Sequence, residues 1–371
     1  MLKRNSRKII LALQHLIAMF GATVLVPIIT GFDPSIALLT AGVGTLIFHL
    51  CTKGKVPAFL GSSFAFIPVI LTVKETYGDL AYAQGGIVVA GLLYVFLALI
   101  VYKVGYEKIQ KVLTPQIVGP MIIVIGLSLV PTALDMASQN YVIAAITLGI
   151  ALVINKFGKG FLKQLGILIA VIVGYFLSLR IGIVDTGSVT EAAMFAWPAF
   201  RLPKFDIGAI MIIAPVILAV FMEHIGDITT NGKIVNKNFI KDPGLHRTLL
   251  GDGLASAFAG MVGGPANTTY GENTGVLAIT KNYNPSILRL TAIFAVILAF
   301  FGKLGGIVLS IPNAVMGGIS FMLFGMIAII GVKTLKDEEV EFNFQNCLVI
   351  TTILILGLFS EQLSNVLGFT K

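Results

Sequence analysis

Charge is what this chain has least of. Only 12% of its 371 residues are charged, where a soluble domain carries about 25%. That is too little to cover a water-facing surface, so a soluble globular fold is excluded. Cysteine is nearly absent: Cys51 and Cys347 have no metal-ligand spacing and build no disulfide framework, and both read as small apolar side chains. There is one tryptophan, and no basic patch is interleaved with aromatics. The net charge of +8 therefore does not read as a nucleic-acid footprint. There is no HExxH, no Ser–Lys pair on facing spans and no metal cluster, which argues against a membrane-embedded enzyme and implies no cofactor. The opening MLKRNSRK is basic, but the apolar run behind it is too long for a signal peptide and no small-residue cleavage site follows. It reads as a cytoplasmic tail.

Long apolar runs are abundant instead. Hydrophobic residues make up 56% of the chain, and the mean hydropathy is +0.94. Runs near the ~20 residues that cross a bilayer recur along the whole length. The chain reads as an all-α polytopic membrane protein. Its 40 glycines fit the close helix packing that lipid favours. Spans are expected at 9–30, 35–52, 57–73, 82–102, 112–131, 139–155, 162–183, 207–230, 247–262, 265–280, 286–302, 304–332 and 344–359. The longest connection, about 184–206, reads as an ordered external crossover. With the N-terminus inside, 20 of the 26 Lys and Arg fall on the inner side. The outer six are Lys74, Arg180, Arg201, Lys204, Lys303 and Lys371. This bias supports the span count and the orientation.

Three sets of short words recur in order. Gln14-His15-Leu16 matches Glu223-His224-Ile225 at an offset of 209, and Pro57-Ala58 matches Pro265-Ala266 at 208. Pro115-Gln116-Ile117-Val118 matches Pro312-Asn313-Ala314-Val315. Seven spans per unit is odd, so the second unit must enter the bilayer inverted, a hallmark of secondary transporters. Spans 3 and 10 open with proline and carry SSFAF and NTTY, which are poor helix and tolerable strand. Each is expected to start as a short extended segment and then become a half-helix. Two such segments can pair antiparallel, with the half-helix N-termini facing a central site. Glu223 lies inside the apolar run of span 8 and Glu272 inside that of span 10. A carboxylate at that depth costs roughly 2.5–3.5 kcal/mol on insertion scales, which marks both as functional. By contrast His49 reads as interfacial, His15 as core packing, His246 as part of a turn, and Asp135 and Asp185 as solvated loop charges.

The chain resembles the nucleobase–ascorbate transporter family, also called nucleobase:cation symporters, and within it the bacterial uracil permeases. The likeness rests on QHLIAMFGATVLVP (14–27), GKVPAFLGSSFAF (54–66), EHIGDI (223–228), KDPGLHR (241–247), NTTYGENTGVLAIT (267–280) and IPNAVMGGIS (311–320). It implies a seven-plus-seven inverted repeat in a bacterial cytoplasmic membrane. Core-domain parts at 1–105 and 207–303 would hold the substrate. Gate-domain parts at 106–206 and 304–371 would move against them and form a homodimer contact. The final segment EQLSNVLGFTK cannot cross, so the last gate helix is expected to be missing.

The resemblance places uracil or a related nucleobase against Glu223, Glu272, Gly271, Tyr270, Phe64 and Ser63. Carboxylates accept from the N–H groups of such a base, and the backbone N–H of Phe64 and Gly271 can donate to its carbonyls. Phe64 and Tyr270 would cover the ring face. Glu223 is expected to carry a coupled proton, helped by Asp227, four residues on along the same helical face, and by His224. Asp227 stands where the family has histidine or an acid. A purine substrate of the xanthine type is the near alternative. An anion carrier on the same fold is the distant one, since two carboxylates repel anions.

Overall fold

The computed structural model describes residues 2–110, 114–337 and 339–359. The C-terminal tail, on which the expectation of a missing last span falls, lies outside them, as do Lys111, Lys371 and the start of the expected span 112–131.

The chain begins with α1 (Leu2–Thr30) and α2 (Pro34–Cys51). A short strand β1 (Leu60–Ser62) leads through a 3₁₀ turn, Phe64–Phe66, into α3 (Ile67–Tyr77). Then come α4 (Leu80–Val104), α5 (Tyr106–Gln110), α6 (Pro115–Ser128) and α7 (Val130–Ser138). Next are α8 (Tyr141–Phe157), the single turn α9 (Phe161–Gln164), α10 (Gly166–Arg180) and α11 (Gly187–Glu191). The second half runs α12 (Ile207–Ile213), α13 (Val216–Val235), α14 (Leu245–Val262), β2 (Asn267–Thr269) and α15 (Gly271–Thr280). It ends with α16 (Pro285–Ala299), α17 (Gly302–Leu309), α18 (Asn313–Asp337) and α19 (Phe344–Leu358).

Helix starts follow the local sequence. Asp33, Asp79, Asn140, Asp206, Asn284 and Asn343 each accept from a backbone N–H of the helix they precede. These bonds satisfy donors that have no partner inside the helix. Prolines place the breaks that the span list smooths over. The expected span 207–230 is interrupted between Ile213 and Val216, at Pro215, because proline lacks the N–H that would continue the helix. Pro131 similarly separates α6 from α7.

The expected span 304–332 is two elements. Only α18 is long enough to cross, and α17 bends by 82° from α16 to lie apart from it. Pro312 ends any continuity between α17 and α18, and α17 packs on α11 of the crossover. His49 also departs from expectation. It is buried, and its Nε2 lies 3.0 Å from the Ala58 carbonyl oxygen, so it is a core contact and not an interfacial residue.

Two packed groups of helices result. In one, α4 crosses α14, α14 packs on α2, and α2 on α16. Small residues set that approach: a Cβ on Gly91 would lie 2.6 Å from the Gly253 carbonyl oxygen. In the other, α18 packs against α6, α7 and α8, with α10 on α8 and α19 on α6. Between the groups lies an apolar seam, with Leu25, Val26 and Ile67 from one side and Leu129, Met316 and Phe324 from the other. Among the described residues six helical spans are long and apolar enough to cross a membrane, two of them formed by α6 with α7 and by α12 with α13. The shorter ones, α8, α10 and α19, are equally apolar and pack among them.

Candidate functional site

The two extended segments meet in the middle of the first group. β1 pairs antiparallel with β2, with Leu60 opposite Thr269, Gly61 opposite Thr268 and Ser62 opposite Asn267. The ladder continues at both ends: Ser63 N–H donates to the Ala266 carbonyl at 2.8 Å, and Tyr270 N–H to the Phe59 carbonyl at 2.9 Å. Two strands of three residues leave outward-facing backbone groups that lipid could not satisfy. Side chains from neighbouring helices satisfy them. Thr45 Oγ1 accepts from Leu60 N–H at 2.9 Å, and Ser256 Oγ both accepts from Asn267 N–H and donates to its carbonyl. The Asn231 amide caps the Pro57 carbonyl, and the Ser62 hydroxyl donates to the Thr23 carbonyl. Gly61 is required here, because a Cβ would sit 2.3 Å from the Tyr270 ring.

This pairing aims the start of the Phe64–Phe66 turn and the N-terminus of α15 at one cavity of about 400 Å³. Small-molecule sites span about 300–1,000 Å³. Phe64, Tyr270, Gly271 and Glu272 line it from the broken segments, and Glu223 and Asp227 from α13. Helix-starting residues have N–H groups without intrahelical acceptors, so this end of the cavity is rich in donors. Thr269 Oγ1 donates to Asp227 Oδ2 at 2.9 Å, while the Thr268 hydroxyl is buried without a partner among the described residues. The opposite wall comes from the second helix group: Asn155, Lys163, Gln164, Met322, Met326 and Ile330. Glu223 also borders a neighbouring apolar void of about 40 Å³ between Phe64, Ile122 and Ile327. It therefore borders both spaces, as do Phe64, Ile327 and Ile330.

The sequence-predicted residues divide. Glu223, Glu272, Asp227, Phe64, Tyr270 and Gly271 share the cavity wall. Tyr270 contributes less of its ring than expected: its hydroxyl donates to the Ser62 carbonyl at 3.0 Å and the ring packs on Gly61. Ser63 is fully buried and lies off the wall. His224 points away, into the first helix group. Its Nδ1 lies 3.0 Å from Asp252 Oδ2 and its Nε2 2.9 Å from Thr248 Oγ1. Thr248 gives its own proton to the Leu245 carbonyl, so it accepts from His224 Nε2–H. His15 is held by Asn273, whose amide also caps the His15 carbonyl, tying α1 to α15. The residues the sequence reading missed are Thr268, Thr269, Asn155, Lys163 and Gln164. Glu223 and Glu272 stood out as charges in apolar runs; a threonine or a lysine at the end of a span carries no such signal.

A cavity at a crossed pair of broken helices, deep among apolar spans, is the architecture of a membrane transporter. The chain belongs to the Permease family, whose sequence profile matches residues 6–365. It is a multi-pass membrane transport protein and not an enzyme. It is 44% identical over 366 residues to a uracil permease of Bacillus caldolyticus, covering 94% of this chain and 84% of that one. It is 42% identical to a uracil permease of Bacillus subtilis (strain 168), covering 93% and 84%, and 41% identical to one of Escherichia coli (strain K12), covering 95% and 85%. Its fold resembles the transmembrane domain of a cyanobacterium bicarbonate transporter, BicA, with TM-score 0.66 at 17% identity over 97% of this chain and 96% of that one. It also resembles SLC26A9, with TM-score 0.72 at 9% identity over 97% and 65%.

Proposed function

We propose that the chain is a proton-coupled symporter that carries uracil inward across the bacterial cytoplasmic membrane by alternating access. The observation that carries this reading is that Glu223 and Glu272 line one cavity together with the donor-rich starts of the Phe64 turn and α15. Uracil is flat and neutral, with two N–H donors and two carbonyl acceptors, and this wall offers carboxylates for the former and backbone N–H for the latter. Charge-assisted bonds are the stronger kind, so the glutamates supply grip and orientation. The relatives' names point to the same base.

The same carboxylates are the proton carriers in this reading. Glu223 takes the coupled proton on the cavity wall, and Asp227, already bonded to Thr269, shares it. The first helix group (1–105 and 207–303) acts as the substrate-holding core. The second (106–206 and 304–371) acts as the gate and supplies the homodimer contact. The N-terminus faces the cytoplasm, as the Lys and Arg distribution favours.

The test is uptake of labelled uracil into vesicles under an imposed pH gradient, with and without a proton ionophore, and with xanthine, thymine and 5-fluorouracil as competitors. Accumulation should collapse with the ionophore, and Glu223→Gln should lose it. If Glu223→Gln still concentrates uracil with the usual pH dependence, the proton assignment is wrong. Stronger competition by xanthine would move the substrate to the purine class. An anion carrier would need the cavity to accept negative charge, which three wall carboxylates oppose.

A further inference from the structure

A second polar cavity, of about 390 Å³, opens at the start of α1, at the opposite end of α15 from Glu272. Three cations converge on it from separate elements: Arg7 and Lys8 from α1, and Lys281 from the turn between α15 and α16. Thr280, Asn282 and Asn284 complete its polar wall, and no carboxylate lines it. Among the described residues none of these three cations forms an ion pair. We propose that this cavity binds the phosphate of an anionic phospholipid.

Three observations support a built site. The first is depth. The 29 residues of α1 extend about 43 Å at 1.5 Å per residue, against a hydrocarbon core of about 30 Å. The polar start, LKRNSRK, therefore overhangs, and Arg7 and Lys8 reach the headgroup layer just before the first apolar turn. Basic pockets between spans at this level are where anionic headgroups are held.

The second is backbone geometry. Lys281 caps α15 with φ of 51°, the left-handed conformation in which glycine is the unstrained choice. Keeping lysine there sets an ammonium on the cavity wall. The third is the level of the site: Leu11 and Ile287 give the cavity an apolar floor, and exposed apolar side chains follow on α1 from Ile9 to Ile17. A lipid phosphate is confined to the headgroup level at which these cations sit, a restriction that a free phosphate does not share. The inference needs only that the chain sits in a bilayer, and it is independent of the uracil reading.

The test uses the purified full chain, delipidated and then offered phosphatidylglycerol or phosphatidylcholine, with retained lipid counted by native mass spectrometry. Phosphatidylglycerol should be retained in preference to phosphatidylcholine. The triple substitution Arg7→Gln, Lys8→Gln, Lys281→Gly should weaken its retention at least about tenfold. Glycerol phosphate and inorganic phosphate at millimolar concentration should not displace it. Equal retention of both lipids, or full retention by the triple variant, would overturn the site. Displacement by inorganic phosphate would make it a free-anion site and overturn the lipid assignment. Should the triple variant fail to fold, Arg7→Gln with Lys8→Gln, which precedes the apolar part of α1, carries the same expectation. Uracil enters no readout, so failure here leaves the transport reading intact.

Discussion

At the scale of single residues, the cavity wall assigns unequal work to its acids. Glu272 sits in the first turn of α15, where the helix dipole favours a negative group and where its carboxylate joins a row of N–H donors. Replacing it with Gln keeps the shape and removes the charge. A hydrogen bond to a charged group contributes about 1.5–3 kcal/mol, so Glu272→Gln should weaken uracil binding roughly 10- to 150-fold. Equilibrium binding of labelled uracil to the purified protein measures this, and an unchanged Kd would remove Glu272 from the ligand contacts. Asp227 differs, because Thr269 already occupies one of its oxygens. Thr269→Val strips that donor while conserving volume, and it should change the pH profile of uptake more than it changes uracil affinity. A profile superimposable on the wild type would show that Asp227 takes no part in coupling. His224, also expected to act, is committed to Asp252 and Thr248 and ties α13 to α14.

At the scale of elements, the strand crossing is the part most dependent on its neighbours. Gly61→Ala would press a methyl into the Tyr270 ring, and overpacking of this kind costs about 1–3 kcal/mol. Gly149 on α8 has nothing near its missing Cβ, and a mid-helix Gly→Ala change is favourable by about 0.5–1 kcal/mol. Thermal unfolding of the two variants should therefore shift in opposite directions; a Gly61→Ala protein as stable as Gly149→Ala would contradict the packing at the crossing. The crossover before α12 carries a pH dependence of its own. Lys204 bonds Asp79 at 2.8 Å, and Tyr77 donates to Asp206 at 2.7 Å. These bonds hold both carboxyls below the ordinary 3.8. Groups with depressed values stabilise above the unfolded value and lose that contribution as pH falls through the folded one. Hydrogen exchange at Lys204 N–H, which donates to the Ala81 carbonyl, should thus stay slow at neutral pH, beyond the intrinsic pH effect, and quicken below about pH 4. Much of this level was legible beforehand. Pro57 and Pro265, with weak helix formers behind them, marked the broken spans, and their antiparallel pairing was expected. The side chains that complete the pairing were not legible, because Thr45, Asn231 and Ser256 sit mid-helix with no local sign of which strand they face. Pro215 and Pro312 were equally visible, but length alone had carried the helix pattern through them.

At the scale of the whole molecule, the cavity has one wall from each helix group, so any relative motion of the groups opens or closes it. Where they touch on the Lys163 side, the contact is close. A Cβ on Gly275 of α15 would lie 2.5 Å from the Gln164 amide nitrogen of α9. Gly275 lies on α15 in the first helix group, one turn beyond Glu272, and Gln164 lies on the second, where it lines the cavity wall. A bulky residue at 275 presses on the Gln164 side chain and holds the groups apart at this point. Gating motions often limit turnover while leaving binding alone. Gly275→Leu is accordingly expected to keep uracil affinity within about threefold while lowering net uptake at least about tenfold. Binding to purified protein and uptake by vesicles must be measured side by side. Equal losses in both would place Gly275 in the binding wall, and no loss in either would mean that α9 and α15 separate freely. A selective loss of uptake would make this contact part of the inner gate, and Gln164→Ala, which removes the colliding amide, should then restore uptake to the Gly275→Leu protein.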